Sequence, residues 1–371
     1  MKILRSISIV PSILAAALWC LTVAAMAQVS LSPPGVATPT PEASEPAAKP
    51  RPKPKPVAKE AVKDAVKKPA TAPKPDATPA PTATVTPAPV PDDPNADYVY
   101  GAYQRGYYKS AFLLATKRVD EKGDPKAMTM LGELYANGLG VKRDYDKAID
   151  WYRKASDAGD REGMFALAML RLSGRGGPGG GEEAAKLLAS SAKLGSSKAA
   201  YNLALLYIDG QILPQDMKRA AELLRVAADA GSAEAQYALA TFYKDGNSVP
   251  KDIEKSVRLL QAAALADNVE AEVEYAIAMY NGTGTPRNQA AAVALLRKAA
   301  KQNSPIAQNR LAWVLAGGQG APVDKIEGLK WHIVAKTAGK GDPMLDEAFA
   351  NMPAADKAKA EAEAKVWLGA K

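Results

Sequence analysis

Cysteine and histidine are almost absent from this sequence, whose 371 residues include one of each, Cys20 and His332. Zinc and thiolate sites are built from clusters of these side chains, and a disulfide framework needs pairs of cysteines. The sequence therefore predicts no metal site and no disulfide. Lipid attachment at Cys20 is disfavoured because Leu18 and Trp19 precede it, where that signal requires small residues.

Complete catalytic motifs are also lacking. Ser190 and Lys193 have the Ser-x-x-Lys spacing of penicillin-recognising enzymes, but the companion Ser-Asp-Asn and Lys-Thr-Gly elements are missing. The glycine run that begins at Gly174 is not followed by the Gly-Lys-Ser/Thr of a phosphate-binding loop. His332 occupies a framework position of the repeat described below, which favours a packing or surface role. We therefore expect no enzymatic activity and no cofactor.

Aromatic residues are absent from residues 28–95, which contain 18 of the 28 prolines. Such a segment cannot bury enough apolar surface to offset the entropy lost when it becomes ordered. Proline restricts its own backbone angle and biases the preceding residue towards extended conformations. We predict a disordered Pro/Ala/Lys-rich linker that favours polyproline II and reaches well over ~100 Å.

Positive charge is not concentrated in any part of the chain. The net charge of +8 divides into +2 before residue 28, +2 in the linker and +4 in the remainder. Proteins that bind nucleic acid are expected to gather basic residues on one face. Acids and bases are interspersed here, so no nucleic-acid partner is expected.

Residues 1–27 have the pattern of a secretory signal peptide. Lys2 and Arg5 precede an apolar run that ends in the small-x-small motif Ala-Met-Ala, which predicts cleavage after Ala27. The uncharged run is also long enough to approach a membrane span, so an uncleaved anchor in the inner membrane is the alternative. Both interpretations export the body of the protein, to the periplasm or out of the cell.

Six copies of a 36-residue unit fill residues 126–341. In the first copy a small residue, Ala127, is followed by Leu131 and by the turn glycine Gly138. The leading small residue recurs at an offset of 36, without insertion or deletion, at Ala127, Gly163, Ala199, Ala235, Ala271 and Ala307. Such a period is typical of stacked repeats that bury their apolar faces against their neighbours.

Each unit predicts two antiparallel helices. Large and small apolar residues recur at helical spacing in the first helix, and a glycine with a positive backbone angle ends it. An aspartate that can cap the second helix follows at Asp144, Asp216, Asp252 and Asp324. A second glycine closes most hairpins, and Asp267 and Asn303 replace it in copies four and five because both tolerate left-handed conformations.

The unit resembles the consensus of the Sel1-like repeat family almost position for position. The matching positions in the first copy include Ala127, Leu131, Gly132, Tyr135, Trp151, Tyr152 and Gly159. The resemblance implies an all-α fold, a right-handed α/α superhelical solenoid related to tetratricopeptide arrays, that serves as an adaptor or scaffold. An amino-terminal capping hairpin over residues 96–125 and carboxyl-terminal capping helices over residues 342–371 would flank the repeats.

By analogy with tetratricopeptide arrays, the first helices line a concave face on which a protein partner would bind. Positions two and six residues after the leading small residue are mostly apolar or aromatic in repeats two to five. These eight candidate contact residues are Phe165, Met169, Tyr201, Leu205, Tyr237, Thr241, Val273 and Ile277. Clustered apolar anchors are typical of binding hot spots. The alternative is that superhelical curvature buries these side chains between neighbouring repeats.

The sequence thus predicts a non-enzymatic scaffold or regulator of the bacterial cell envelope that binds an envelope or periplasmic protein. The alternative is a structural envelope protein that contacts peptidoglycan through its basic, proline-rich linker. The chain would contact a membrane only if its amino-terminal segment is not cleaved.

Overall fold

The structure, a computed structural model, describes residues 97–175 and 180–369. The predicted signal segment and linker lie outside these residues. The described part consists of sixteen consecutive helices and contains no strand. This confirms the all-α solenoid that the resemblance of the 36-residue unit to Sel1-like repeats implied.

The helices follow one another as antiparallel pairs. The first pair consists of α1 (Tyr98–Gln104) and α2 (Tyr108–Lys122). The six repeats are α3 (Pro125–Asn137) with α4 (Tyr145–Asp157), α5 (Arg161–Leu172) with α6 (Gly181–Lys193), α7 (Ser197–Asp209) with α8 (Met217–Asp229), α9 (Ala233–Asp245) with α10 (Ile253–Leu265), α11 (Val269–Asn281) with α12 (Gln289–Lys301), and α13 (Pro305–Gly317) with α14 (Lys325–Thr337). The last two helices are α15 (Pro343–Ala350) and α16 (Ala354–Gly369).

A side-chain cap begins the second helix in five of the six repeats. In the first repeat the carboxylate of Asp144 accepts a hydrogen bond from the backbone amide of Lys147 at 3.1 Å. The same bond recurs at Asp216, Asp252, Asn288 and Asp324. The predicted aspartate caps are therefore confirmed, and each stabilises its helix by about 1 kcal/mol. In the second repeat Gly180 precedes α6 and no side chain caps the helix.

The hairpins close through residues in the left-handed conformation. Gly138 ends α3 with φ +68°, and its counterparts in the other five repeats also have positive φ. At the second turn Asp267 and Asn303 have φ +60° and +69°, where the other four repeats have glycine. The sequence predicted this tolerance, because short polar side chains can adopt the left-handed region.

One pairing of small and large side chains recurs through the core. A buried alanine of the first helix and a buried leucine of the second belong to the same apolar cluster. The pairs are Ala168 with Leu188, Ala204 with Leu224, and Ala240 with Leu260. In the first repeat the small residue is Gly132 and the large one is Tyr152. In these four hairpins a small side chain of one helix therefore packs against a large side chain of the other, which keeps the space between the helices filled.

The last two helices cover the end of the sixth repeat. Trp331 of α14 and Trp367 of α16 meet edge to face, with ring centroids 5.1 Å apart. His332 is buried, and its Nε2 lies 2.8 Å from the carboxylate of Asp346 in α15. Lys336 donates to both oxygens of that carboxylate at 2.8 Å. His332 therefore packs in the joint between α14 and α15.

The contact between α14 and α15 through Asp346 is expected to become less stable in acid. Hydrogen bonds from Lys336 and His332 lower the pKa of Asp346 below its ordinary value. The stabilisation is thus fully present above the unfolded-state pKa of about 4 and is lost as the pH falls through the lower folded-state pKa. At pH 6 we expect faster hydrogen exchange in α15 of Asp346→Asn than in the parent chain, and no such difference near pH 2. Glu347→Gln, on the exposed side of the same helix, is the control. A difference that persists undiminished at pH 2 would contradict this account.

Candidate protein-binding groove

The first helices of the opening pair and of repeats one and two line a groove of about 730 Å³, to which α7 contributes Lys198. We call it the amino-terminal groove. Its apolar lining includes Met130 of α3 together with Phe165 and Met169 of α5. Tyr100 and Tyr103 of α1 line its near end. The groove therefore combines apolar and aromatic surface at the meeting point of four helices.

A carboxylate at the wall of the groove is held by hydrogen bonds. The Tyr152 hydroxyl donates to Glu133 at 2.9 Å, and the Asn137 amide donates to the other oxygen at 2.7 Å. Burial, and then the charge of Glu133, raise the pKa of Tyr152, and the same two causes raise the pKa of Tyr103. Both phenols therefore stay protonated at neutral pH. These hydrogen bonds hold the Glu133 carboxylate in place, and neither phenol is an activated nucleophile.

A second polar contact joins repeats one and two at the groove. The Thr129 hydroxyl donates to Asp160 at 2.6 Å, and the same Asp160 oxygen accepts from the Gly163 amide at 2.8 Å. A Cβ atom at position 163 would lie 2.8 Å from the Thr129 hydroxyl. The Ala155 Cβ would be closer still, at 2.7 Å, so Ala155 and Thr129 together leave room only for glycine at the leading position of repeat two.

Charges along the groove rim change sign between repeats. Lys126, Arg161 and Lys198 lie at the amino-terminal ends of α3, α5 and α7, and all three line the groove. At the position of Lys126 and Lys198, repeat two carries Glu162, which also lines the groove, and repeats four and five carry Glu234 and Glu270. The groove rim therefore presents charges of both signs, and only acids occupy this position in the next two repeats.

The structure divides the eight predicted contact residues into two groups. Five are half-buried, namely Phe165, Met169, Tyr201, Tyr237 and Ile277. The other three are buried, with 5% of Leu205, 9% of Thr241 and 4% of Val273 exposed. Leu205 lies in one cluster with residues of α9 such as Phe242, so neighbouring repeats cover it. These three are therefore unavailable to a partner, and contact by the other five stays a prediction.

Sequence reasoning missed the part of the groove that comes from outside the repeats. Tyr100 and Tyr103 belong to α1, which lacks the repeat pattern and cannot be aligned by an offset of 36. Met130 was missed because it lies three residues after the leading position, where we expected no partner contact. The only available signal was the concentration of tyrosine between residues 98 and 108.

The fragments of catalytic motifs remain separate from the groove. Ser190 and Lys193 are exposed on α6 and do not line it. Across residues 97–175 and 180–369, no group of three or more His, Cys, Asp or Glu side chains could hold a metal ion. The same residues include no helix that is long and apolar enough to cross a membrane.

Stacked helical hairpins with a groove along their first helices define a helical-repeat scaffold. The model of the Sel1 repeat matches six consecutive units, residues 125–160, 161–196, 197–232, 233–268, 269–304 and 305–340. The match covers more than half of the chain, so this protein belongs to the Sel1 repeat family. Proteins of this family generally mediate protein–protein interactions and are generally non-catalytic.

Solved structures show the same fold. The chain is similar to a Sel1 repeat protein from Oxalobacter formigenes, with 26% identity over 65% of this chain and 98% of that one, and a TM-score of 0.58. It is also similar to c5321, a protective antigen of uropathogenic Escherichia coli strains, with 22% identity over 73% of this chain and a TM-score of 0.62. The alignment spans 64% of the length of c5321, and at that identity it shows the fold alone. None of the curated proteins matches this chain.

Proposed function

We propose that this protein is a non-enzymatic scaffold of the bacterial cell envelope that binds a protein partner in the amino-terminal groove. The observation that carries the proposal is the groove itself, about 730 Å³ in volume and lined by Phe165, Met169 and Met130. Apolar and aromatic anchors inside a charged rim are the usual composition of a protein-binding hot spot. The family's general role in protein–protein interaction supports the same conclusion.

The envelope location rests on the amino-terminal sequence. A short basic region, an apolar run and an Ala-Met-Ala motif together direct export. The proline-rich residues 28–95 would then separate the repeats from the point where the chain leaves the membrane or begins after cleavage. The partner is accordingly expected among periplasmic proteins or the periplasmic parts of membrane proteins.

Changing the apolar lining of the groove is expected to weaken partner binding at least tenfold, which corresponds to about 1.4 kcal/mol. Met169→Glu places a charge among apolar residues, and Phe165→Ser removes an aromatic anchor. The partner is captured from envelope extract with the parent chain, identified by mass spectrometry, and its dissociation constant is then measured for each variant. Circular dichroism establishes that each variant remains folded.

The matched controls are exposed apolar residues on the second helices, away from the groove. Val226 of α8 and Leu265 of α10 are 52% and 81% exposed, so serine at either position should leave the affinity unchanged. Equal affinity of the folded Met169→Glu variant and the parent chain would contradict the proposal. If the protein instead co-sediments with purified peptidoglycan sacculi and captures no partner, a structural role through the linker replaces it.

A further inference from the structure

One carboxylate in the amino-terminal groove has no cation beside it. Glu133 of α3 is half-buried and lines the groove. Its hydrogen bonds come from neutral groups, the Tyr152 hydroxyl at 2.9 Å and the Asn137 side-chain amide at 2.7 Å. Glu133 forms no ion pair with any residue that the structure describes. The neutral donors therefore hold its negative charge in place without cancelling it.

The other three carboxylates that line the groove each have a source of positive charge. Arg118 binds Asp97 at 2.8 Å, and the Nε atom of Arg161 lies 3.4 Å from a carboxylate oxygen of Glu162. Asp160 caps α5, so it faces the positive end of that helix dipole. Among the described residues that line the groove, one negative charge is therefore left without compensation.

The chain itself supplies a cation to a similar pair further along the series of first helices. The Tyr237 hydroxyl donates to Glu274 of α11 at 3.2 Å, as Tyr152 does to Glu133. Lys244 binds the other oxygen of Glu274 at 2.9 Å, and the Glu274 side chain is 15% exposed. Carboxylates withdrawn from water are normally paired in this way. At Glu133 the described chain offers no such cation, and the open groove can admit one from another molecule.

The cations that line the groove lie away from Glu133. Lys126 precedes it by seven residues, which is about 10 Å along the axis of α3. Lys198 lies at the corresponding end of α7. The guanidinium of Arg175 stacks over the Tyr145 ring, 5.1 Å from its centroid. Glu133 lies close to the carboxyl end of α3, where the helix dipole is negative and favours a cation.

We propose that Glu133 binds a lysine or arginine side chain of the protein partner, next to an apolar partner residue that packs on Phe165 and Met169. The inference rests on the proposed function, because it names the chemistry that the same groove recognises. Met169 occupies in α5 the position that Glu133 occupies in α3, so the apolar contact lies beside the cation. Tyr103, whose hydroxyl lies beside Glu133, offers an aromatic ring to the same cation.

Selection from a library of short random peptides displayed on phage tests the inference on the full chain. Peptides are kept when Phe165→Ser abolishes their binding, which restricts them to the groove. We expect them to share a lysine or arginine beside an apolar residue, and Glu133→Gln to weaken their binding by about tenfold or more. Glutamine keeps the shape of the side chain and an oxygen that accepts hydrogen bonds. Glu254→Gln, exposed on the second helix α10, makes the same charge change outside the groove and should change the affinity by less than about twofold.

Replacing the basic residue of a selected peptide with methionine completes a double-mutant cycle. The effect of Glu133→Gln should disappear with the methionine peptide, whereas a purely structural role of Glu133 would weaken the binding of both peptides alike. An empty selection, groove-bound peptides without a common basic residue, or an equal effect of Glu133→Gln on both peptides overturns the inference. A captured partner that loses affinity with Phe165→Ser but not with Glu133→Gln also overturns it, and leaves the proposed function standing.

Discussion

Gly132→Ala is expected to destabilise the first repeat, although alanine is the better helix former. A Cβ atom at this position would lie 2.5 Å from two carbons of the Tyr152 ring, much closer than a normal contact. Overpacking of this kind costs about 1–3 kcal/mol, whereas the gain in helix propensity is at most about 1 kcal/mol. Moving the ring would also break the 2.9 Å hydrogen bond from Tyr152 to Glu133. Urea denaturation of the variant measures the net loss.

A second substitution should recover part of this loss. Gly132→Ala with Tyr152→Leu recreates the alanine–leucine pair that repeats two to four already contain, such as Ala204 with Leu224. Tyr152→Leu alone should be destabilising, because it leaves a gap beside Gly132 and removes the bond to Glu133. The double variant should therefore lose less unfolding free energy than the two single variants lose in sum, by about 1 kcal/mol or more. Simple additivity of the two effects would show that the pair does not determine the packing of this hairpin.

Lys298→Ala is expected to lower the melting temperature by about 5 °C, because it leaves a buried carboxylate without its cation. Glu272 is 0% exposed, and Lys298 approaches one of its oxygens at 2.6 Å. The other oxygen has no hydrogen-bond partner within the described residues. Removing one member of such a pair exposes the full cost of burying the remaining charge. Differential scanning calorimetry checks the shift.

Two variants separate this explanation from a general sensitivity of α12. Lys298 also binds Asp267 at 2.6 Å, but that carboxylate is exposed, so Asp267→Asn should change the melting temperature little. Glu272→Gln should abolish most of the effect of Lys298→Ala. Glutamine already occupies the same position in repeats four and six, where Gln236 and Gln308 donate to the carbonyls of Ala228 and Ala300. A large loss in Lys298→Ala that persists in the Glu272→Gln background would contradict the account.

The helices and their turns could be predicted from the sequence because their signals are local. A capping aspartate accepts a hydrogen bond from the backbone amide three residues later, and a turn glycine adopts a positive φ at its own position. Each signal therefore involves no more than one helical turn of the chain. Asp144 and Asn303 have the structural roles that their positions in the repeat indicated. Repetition strengthened each signal, since a pattern that returns every 36 residues is not accidental.

The binding face could be predicted only in part. The 36-residue offset identified a recurring set of positions on the first helices, and Phe165 and Met169 of that set do line the groove. The offset could not separate them from Leu205, Thr241 and Val273, which are buried in the structure. That distinction depends on the rotation between successive hairpins, a quantity that no single repeat contains.

The amino-acid sequence by itself therefore determined the period, the caps, the turns and the all-α solenoid of this Sel1 repeat protein. The export signal and the linker rest on sequence patterns alone. Only the tertiary structure decided that the groove lies at the amino-terminal end, beside the junction with the proline-rich segment. The physical reason is that a groove arises where helices from separate repeats meet. Its walls combine Tyr103, Thr129 and Phe165, which are distant along the chain and become neighbours only when the hairpins stack.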